Sequence, residues 1–401
     1  MIINNINYKV IIIYSLFFLF ISTRNSFAYL DPGTGSIIIQ TIVAIIASFF
    51  AFSKYLKDTI INFLNDILNF YRLKKKEKIY KTGFFSETNF IYEYLEPHIL
   101  NKLKKKKIIL ISFEKINVEY LDNEFIFVFH SNIIRELVFL TLNLKILYSS
   151  TPNLNQTIFK KTKFTNCKYI YLQHSPVSLN LIYSNNAFDS FDAIQVLSTF
   201  QLKEMKEIKD RNNLKIKIFK SQYLFPQKLK TLKKNQIVNE EILIAPSWNS
   251  NFYSTNCHIL LKESLDKNNI SFKLRPHPMS FKKNEISLDE LAKHNIPIDK
   301  TSFMNLYNYN FLITDWSGAF IEFALLFKRK AFLINTPMKI INKDYSKYKN
   351  QPIEILLRNT LGKTFTIDNI DNLVNHIRSI KKDINTEDEE VKKIVDENFY
   401  K

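Results

Sequence analysis

Four short strings, each at the end of an apolar run, carry residue types suited to proton transfer and to holding a phosphate. In the first, the run from Tyr169 delivers Gln173-His174-Ser175-Pro176, where Ser175 suits an N-cap and Pro176 a first helical turn. An imidazole beside the free N–H groups of a helix start is placed for proton transfer next to an anion. A structural histidine bonding a loop carbonyl is the alternative. In the second, Arg275-Pro276-His277-Pro278 ends a strand and holds the backbone stiffly extended. Arg275 and His277 are two apart, so in an extended segment they point the same way and suit two oxygens of one phosphate. A proline-rich turn with exposed charges is the bland reading.

The third string is Thr314-Asp315-Trp316-Ser317-Gly318, running into Ala319–Phe327. Ser317 is an N-cap candidate and Gly318 removes a side chain where something must approach, so the backbone N–H groups form a phosphate cradle. Glu322, one turn on, either accepts hydrogen bonds from ligand hydroxyls or sits on a solvated helix face. The fourth, Pro246-Ser247-Trp248, places Ser247 and an indole at the same edge, although a buried structural Trp is commoner.

These strings need a scaffold that collects strand ends. From about residue 80, short apolar runs alternate with helical stretches, as in α/β proteins with parallel sheets covered on both faces. Strands are expected at 108–113, 125–130, 169–173, 193–197, 216–219, 242–245, 271–274, 311–314 and 331–334. Helices are expected at 201–209, 257–267 and 317–327, with terminal helices near 368–381 and 387–399. Nine strands exceed one comfortable sheet. The polar, lysine-rich stretch 227–239 is the natural linker, giving a first domain over 81–235 and a second over 236–401. In such sheets ligands bind beyond the strands' carboxyl ends, where the winding reverses.

Composition removes competing classes. The 401 residues include five glycines, too few and too scattered for GxGxxG or a P-loop. Cys167 and Cys257 lie far apart, without disulfide-framework or zinc spacing. Net charge is +18, which suits anionic lipid, phosphorylated substrates or nucleic acid. The lysines are dispersed and no nucleic-acid motif appears, so nucleic acid is not an expected partner.

The first 80 residues read as a membrane region. Residues 1–28 hold Lys9, the apolar run 10–21 and Ser26-Phe27-Ala28, a signal peptide or a retained first helix. Residues 29–55 hold the Tyr29-Leu30-Asp31-Pro32-Gly33-Thr34-Gly35-Ser36 turn and an apolar span over 36–52. Residues 56–80 pair Leu56, Ile60, Phe63, Leu64, Ile67 and Phe70 against Lys57, Asp58, Asn65 and Asp66, an amphipathic interfacial helix followed by lysines. By the positive-inside rule the body lies on the cytoplasmic side of a bacterial inner membrane. The YLDPGTGS string resembles a segment common in bacterial inner-membrane proteins.

In this order, Gln173-His174-Ser175, Pro246-Ser247-Trp248, Arg275-Pro276-His277-Pro278 and Thr314-Asp315-Trp316-Ser317-Gly318 with Glu322 resemble the CDP-glycerol glycerophosphotransferase family, the teichoic-acid primases and polymerases. The likeness covers about 165–340. It implies a GT-B architecture of two facing Rossmann-like domains, with acceptor binding in the first and nucleotide-donor binding in the second. It further implies that His174 is the base on the acceptor hydroxyl, and that His277 and Arg275 neutralise the donor pyrophosphate. Ser317, Gly318 and the following backbone would bind phosphate, Asp315 would order that loop, and Glu322 would hold donor hydroxyls. No metal or cofactor is implied. Donors would be a CDP-activated alditol or a nucleotide sugar, and the acceptor a lipid-linked or surface polymer. Gln173 and Asn249 depart from the family pattern, as does the run Ser175-Pro176-Val177-Ser178, which lacks the family's lysine, mostly on the acceptor side. A nucleotide-sugar-dependent GT-B glycosyltransferase and an inactive GT-B membrane scaffold are the alternatives.

Overall fold

The computed structural model describes residues 32–89, 94, 95, 97, 108–116, 123–232, 242–248, 251–300, 303–380 and 386–400. The signal-like stretch 1–28, Asn249 and linker positions 233–239 lie outside the described residues. Two compact units are present, Met1–Ile61 and Asn62–Lys401. In the first unit, Pro32 opens a helix that runs Pro32–Ile79. Gly33 and Gly35 are therefore helical, not part of a turn. Within it the stretch Ile39–Ile79 is long and apolar enough to cross a membrane, by length and composition. Ile37, Ile39, Ile42, Val43 and Phe49 are all exposed.

The second unit begins with the end of that helix, and here the interfacial expectation fails in part. Asp66, assigned by its periodicity to the polar outer face, is fully buried. Its carboxylate accepts from His130 N at 2.8 Å and Ser131 N at 2.6 Å, ahead of the helix Asn132–Leu140. Leu73 is buried with it, and Ile67 and Phe70 pack against the same core. The apolar face of 66–73 therefore meets protein.

Seven parallel strands form the first sheet in the order β3-β2-β1-β4-β5-β6-β7. They are β1 Thr82–Ser86, β2 Ile109–Ser112, β3 Ile126–Val128, β4 Ile146–Ser149, β5 Lys168–Tyr171, β6 Ala193–Val196 and β7 Lys217–Lys220. The second sheet, also parallel, has the order β12-β11-β10-β8-β9. Its strands are β8 Ile242–Ile244, β9 Phe272–Leu274, β10 Phe311–Thr314, β11 Ala331–Asn335 and β12 Gly362–Thr366. The nine expected strands are present with edges moved by at most two residues, and β1, β4 and β12 are additional. Burial explains the apolar strings: all four residues of β2 and of β10 are buried, as parallel strands covered on both faces require.

Two boundaries differ from expectation. The lysine-rich stretch starts as the helix Phe225–Leu232, whose Phe225 and Leu229 are fully buried in the core of the second sheet. Apolar residues four apart outweighed the intervening lysines. The chain also returns to the first half at its far end: Phe399 bridges Ser198, and Tyr400 N donates to Leu197 O at 3.0 Å.

Glycine scarcity is offset by asparagine. Among the described residues, eight asparagines and Lys328 take positive φ. Asn213, Asn269, Asn284 and Asn295 each follow the last turn of a helix, where the next N–H closes a bond back to the helix, as Ile270 N does to Leu265 O at 3.0 Å. Asparagine tolerates the left-handed region better than other residues with a Cβ, so it replaces glycine in these caps.

Candidate functional site

The winding of the second sheet reverses between β8 and β10, and the third and fourth strings meet there. Asp315, just past β10, is fully buried and accepts from Ser247 N at 2.8 Å and Ser247 Oγ at 3.2 Å, just past β8. Thr314 Oγ1 donates to Ala245 O at 2.7 Å beneath them. Arg358 closes the back: Nη1 donates to Asp315 O at 2.9 Å and Nη2 to Ile334 O at 3.0 Å. Its guanidinium lies 3.9 Å from the centre of the Trp316 ring. Burial, opposed by Asp315, lowers its pKa to about 10, so it stays charged. Ser247 and Asp315 thus lock two loops together.

Helix Ala319–Phe327 starts two residues later than the expected 317, with Gly318 at the N-cap and Ser317 Oγ accepting from Ala319 N at 3.3 Å. What approaches Gly318 is the first half of the protein. A Cβ there would lie 2.4 Å from Val177 Cγ1 and 3.1 Å from Ser175 Oγ. The helix is buried along Ala319–Leu326, so Glu322 has no solvated face. Its Oε1 accepts from Tyr223 OH at 2.6 Å, and burial raises its pKa to about 8. Tyr223 OH also approaches His174 O at 3.2 Å, joining the third string to the first.

No helix follows His174; residues 174–192 form turns. Buried polar groups hold these turns instead. Leu179 N donates to Glu204 Oε2 at 2.6 Å and Ser178 N to Glu354 Oε1 at 2.9 Å. The helix start near His174 is therefore that of Ala319–Phe327, supplied by the other half. His174 is partly exposed, yet its Nδ1 is shut from solvent with no hydrogen-bond partner among the described residues. Burial lowers its pKa to about 4, leaving the ring neutral at pH 7.

His277 is likewise partly exposed and caps the short helix Pro278–Lys282, its Nδ1 accepting from Met279 N at 3.1 Å. That bond leaves the proton of the neutral ring on Nε2. Burial, then the positive charges of Lys339 and of a protonated His174, lower its pKa to about 3. The two histidines, 103 positions apart, therefore lie within electrostatic reach of each other. Arg275, two residues before His277, is held by a carboxylate. Its Nη2 pairs with Asp299, whose carboxylate also accepts from Tyr309 OH at 2.5 Å. Arg275 thus forms a largely buried salt bridge that fixes the loop after β9.

Trp248 is partly exposed, its ring 6.3 Å from that of His277. Lys339 Nζ lies 4.1 Å and Lys283 Nζ 4.4 Å from the indole centre. Neither lysine belongs to a recognised string. Lys339 stands four residues past β11, so applying the strand-end rule to Asn335-Thr336-Pro337-Met338-Lys339 was the available signal. Arg358 and Glu354 lie in a short helical stretch with no such marker.

No family profile and no curated protein matches the sequence. Solved structures do match. A structure of the wall teichoic acid polymerase TagF soaked with CDPG is 13% identical, covering 88% of this chain and 92% of its own, with a TM-score of 0.50. The fold is GT-B. The UDP-GlcNAc 2-epimerase from Neisseria meningitidis bound to UDP-GlcNAc is 13% identical over 79% of this chain and 98% of its own, TM-score 0.48. The lipopolysaccharide glycosyltransferase WaaG is 8% identical over 79% and 95%, TM-score 0.41. In this GT-B core, His174 belongs to the first sheet's loops, and His277, Ser317 and Trp248 to the second's.

Proposed function

We propose that this chain is a membrane-associated GT-B transferase that moves an alditol phosphate, such as glycerophosphate, from a CDP-activated donor to a lipid-linked or surface-polymer acceptor. The observation that carries this reading is the shared environment of His174 and His277, one from each half, at the strand ends beside a helix N-terminus. The order of the four strings, and the TagF-like fold, support the donor class.

In this reading the acceptor hydroxyl gives its proton to neutral His174 as its oxygen bonds the donor phosphorus. The bond from that phosphorus to the bridging oxygen breaks, and its electron pair leaves with CMP. His277 donates its Nε2 proton as a hydrogen bond to the developing charge, and the N–H groups after Ser317 receive phosphate oxygens. Asp315 and Ser247 act as positioning residues by holding the loops, and Glu322 by fixing Tyr223 against the His174 backbone. The apolar stretch Ile39–Ile79 supports anchoring near a lipid-linked acceptor, with the body on the cytoplasmic side by the charge rule.

The test incubates detergent-solubilised full-length protein with CDP-glycerol, CDP-ribitol and common UDP- and GDP-sugars plus membrane lipids. CMP release from a CDP-alditol is expected, falling about 10²–10⁴-fold in His174→Ala with folding intact. Release of no nucleotide from any donor by folded protein overturns the reading.

A further inference from the structure

Lys339 has features a structural lysine rarely combines. It is 5% exposed, yet no hydrogen bond or ion pair holds its ammonium among the described residues. Asp315, Glu354 and Glu285 act on it electrostatically without forming a salt bridge, and Lys283 opposes it. A buried ammonium without a close counterion is costly, and lysines are almost never buried this way unless paired. The faces of Trp248 supply only part of the missing stabilisation, since an ammonium over an indole is worth about 0.5–2 kcal/mol. The ammonium lies beside His277, and Lys283 shares the same ring.

We infer that Lys339, supported by Lys283 and steadied by Trp248, is the cation that grips the diphosphate of a nucleotide-activated donor, the role its sequence position would otherwise leave to Arg275. Arg275 is held by Asp299. Trp248 in turn serves as a platform for two ammonium groups rather than for a nucleobase. A diphosphate fits this arrangement because it brings the counterions that Lys339 lacks and can meet two ammonium groups that share one indole ring, with the neutral His277 ring 6.3 Å from that indole. The inference rests on the proposed donor-binding role of the second half but does not depend on the donor being CDP-glycerol.

Lys339 also sets a pH signature. Its pKa is lowered by burial to about 8, with Asp315, Glu354 and Glu285 opposing and Lys283 adding to the lowering; His277, its other titratable neighbour, is neutral in this range. It loses charge in a range where the phosphates of CDP are already fully ionised.

The experiment measures CDP and inorganic pyrophosphate binding to solubilised full-length protein by calorimetry. Wild type is compared with Lys339→Met, and with Lys215→Met as a remote surface control. Lys339→Met is expected to weaken both ligands about tenfold or more, while the control stays within about twofold. Tryptophan emission of the wild type should change as CDP draws the lysines from Trp248, and Trp248→Phe should abolish that change. If Lys339→Met fails to fold, wild-type affinity for CDP measured from pH 7.5 to 9.5 decides: a fall of about tenfold is expected. Equal binding by folded Lys339→Met, or a flat pH profile, overturns the inference. Failure of CDP-glycerol turnover with binding still lost in Lys339→Met would fault the donor assignment and leave this site standing. Normal turnover with unaltered binding in the variant would do the reverse.

Discussion

Gly318 and Val177 touch where the two halves of the protein meet: a methyl group on Gly318 would sit 2.4 Å from Val177 Cγ1. Gly318 has negative φ, so the glycine is required by space and not by backbone conformation. Gly318→Ala is expected to destabilise the protein by about 1–3 kcal/mol and to lower transferase activity by prising the Ser175 loop from the helix start. Val177→Ala in the same chain should restore both. Urea unfolding and CMP release check this, and a single substitution with no effect would mean the contact is slack.

Three buried carboxyl groups set an unusual pH response. Burial raises Glu204 and Glu322 to about 8 and Glu354 to about 7, against 4.5 for the free side chain. Folded, they hold protons that the unfolded chain releases, so stability falls as pH rises from 4.5 toward 8. His174 and His277, lowered to about 4 and 3, push the other way, but only below 6.5, where the unfolded chain takes up protons. Between pH 6.5 and 8 the carboxyl groups dominate. Tm should drop across that window, and Glu204→Gln should flatten the drop; a rising Tm would contradict the assignment.

Asp66 Oδ2 accepts from two backbone N–H groups entering the helix Asn132–Leu140, those of His130 and Ser131, while Oδ1 lies 3.0 Å from His130 Nδ1. Asp66→Ala leaves two N–H groups without that acceptor, an expected loss of about 2 kcal/mol. Asp66→Asn should recover part of it. Denaturant unfolding of the solubilised protein distinguishes this from a lipid-facing residue, whose replacement would alter membrane retention and leave stability unchanged.

Asparagine at left-handed positions makes a separate prediction. Asn295 has φ of 50° just past the helix Leu288–Lys293. Asn295→Gly should be neutral or slightly stabilising, whereas Asn295→Val should cost about 1–2 kcal/mol. Equal Tm values for the two variants would show that the cap geometry does not matter.

Legibility followed the strength of local signals. β10 was readable residue for residue because Phe311–Thr314 is buried on both faces and writes a continuous apolar run. β12, Gly362–Thr366, is an edge strand with exposed Lys363 and Thr366 and gave no such pattern. β1 was obscured by Gly83, whose missing side chain makes room for Leu144. At the site, the strings around His174, His277 and Asp315 were visible because each ends a strand. Their partners were not: Glu354, Arg358 and Lys339 act through long-range packing, and the pairing of Arg275 with Asp299 spans 24 positions. Periodicity assigned Asp66 to water because an acid on a helix usually goes there; backbone amides from another segment reversed that.

The bridge between Phe399 and Ser198 bears on how the polypeptide is made. Residues 82–220 carry every strand of the first sheet, and such a unit begins to fold while synthesis continues. The rim at Leu197 and Ser198 is finished only when residues some two hundred positions downstream leave the ribosome. Until then that rim lacks the bridge from Phe399 and the bond from Tyr400 N, and a nascent chain stalled before residue 389 would lack them too.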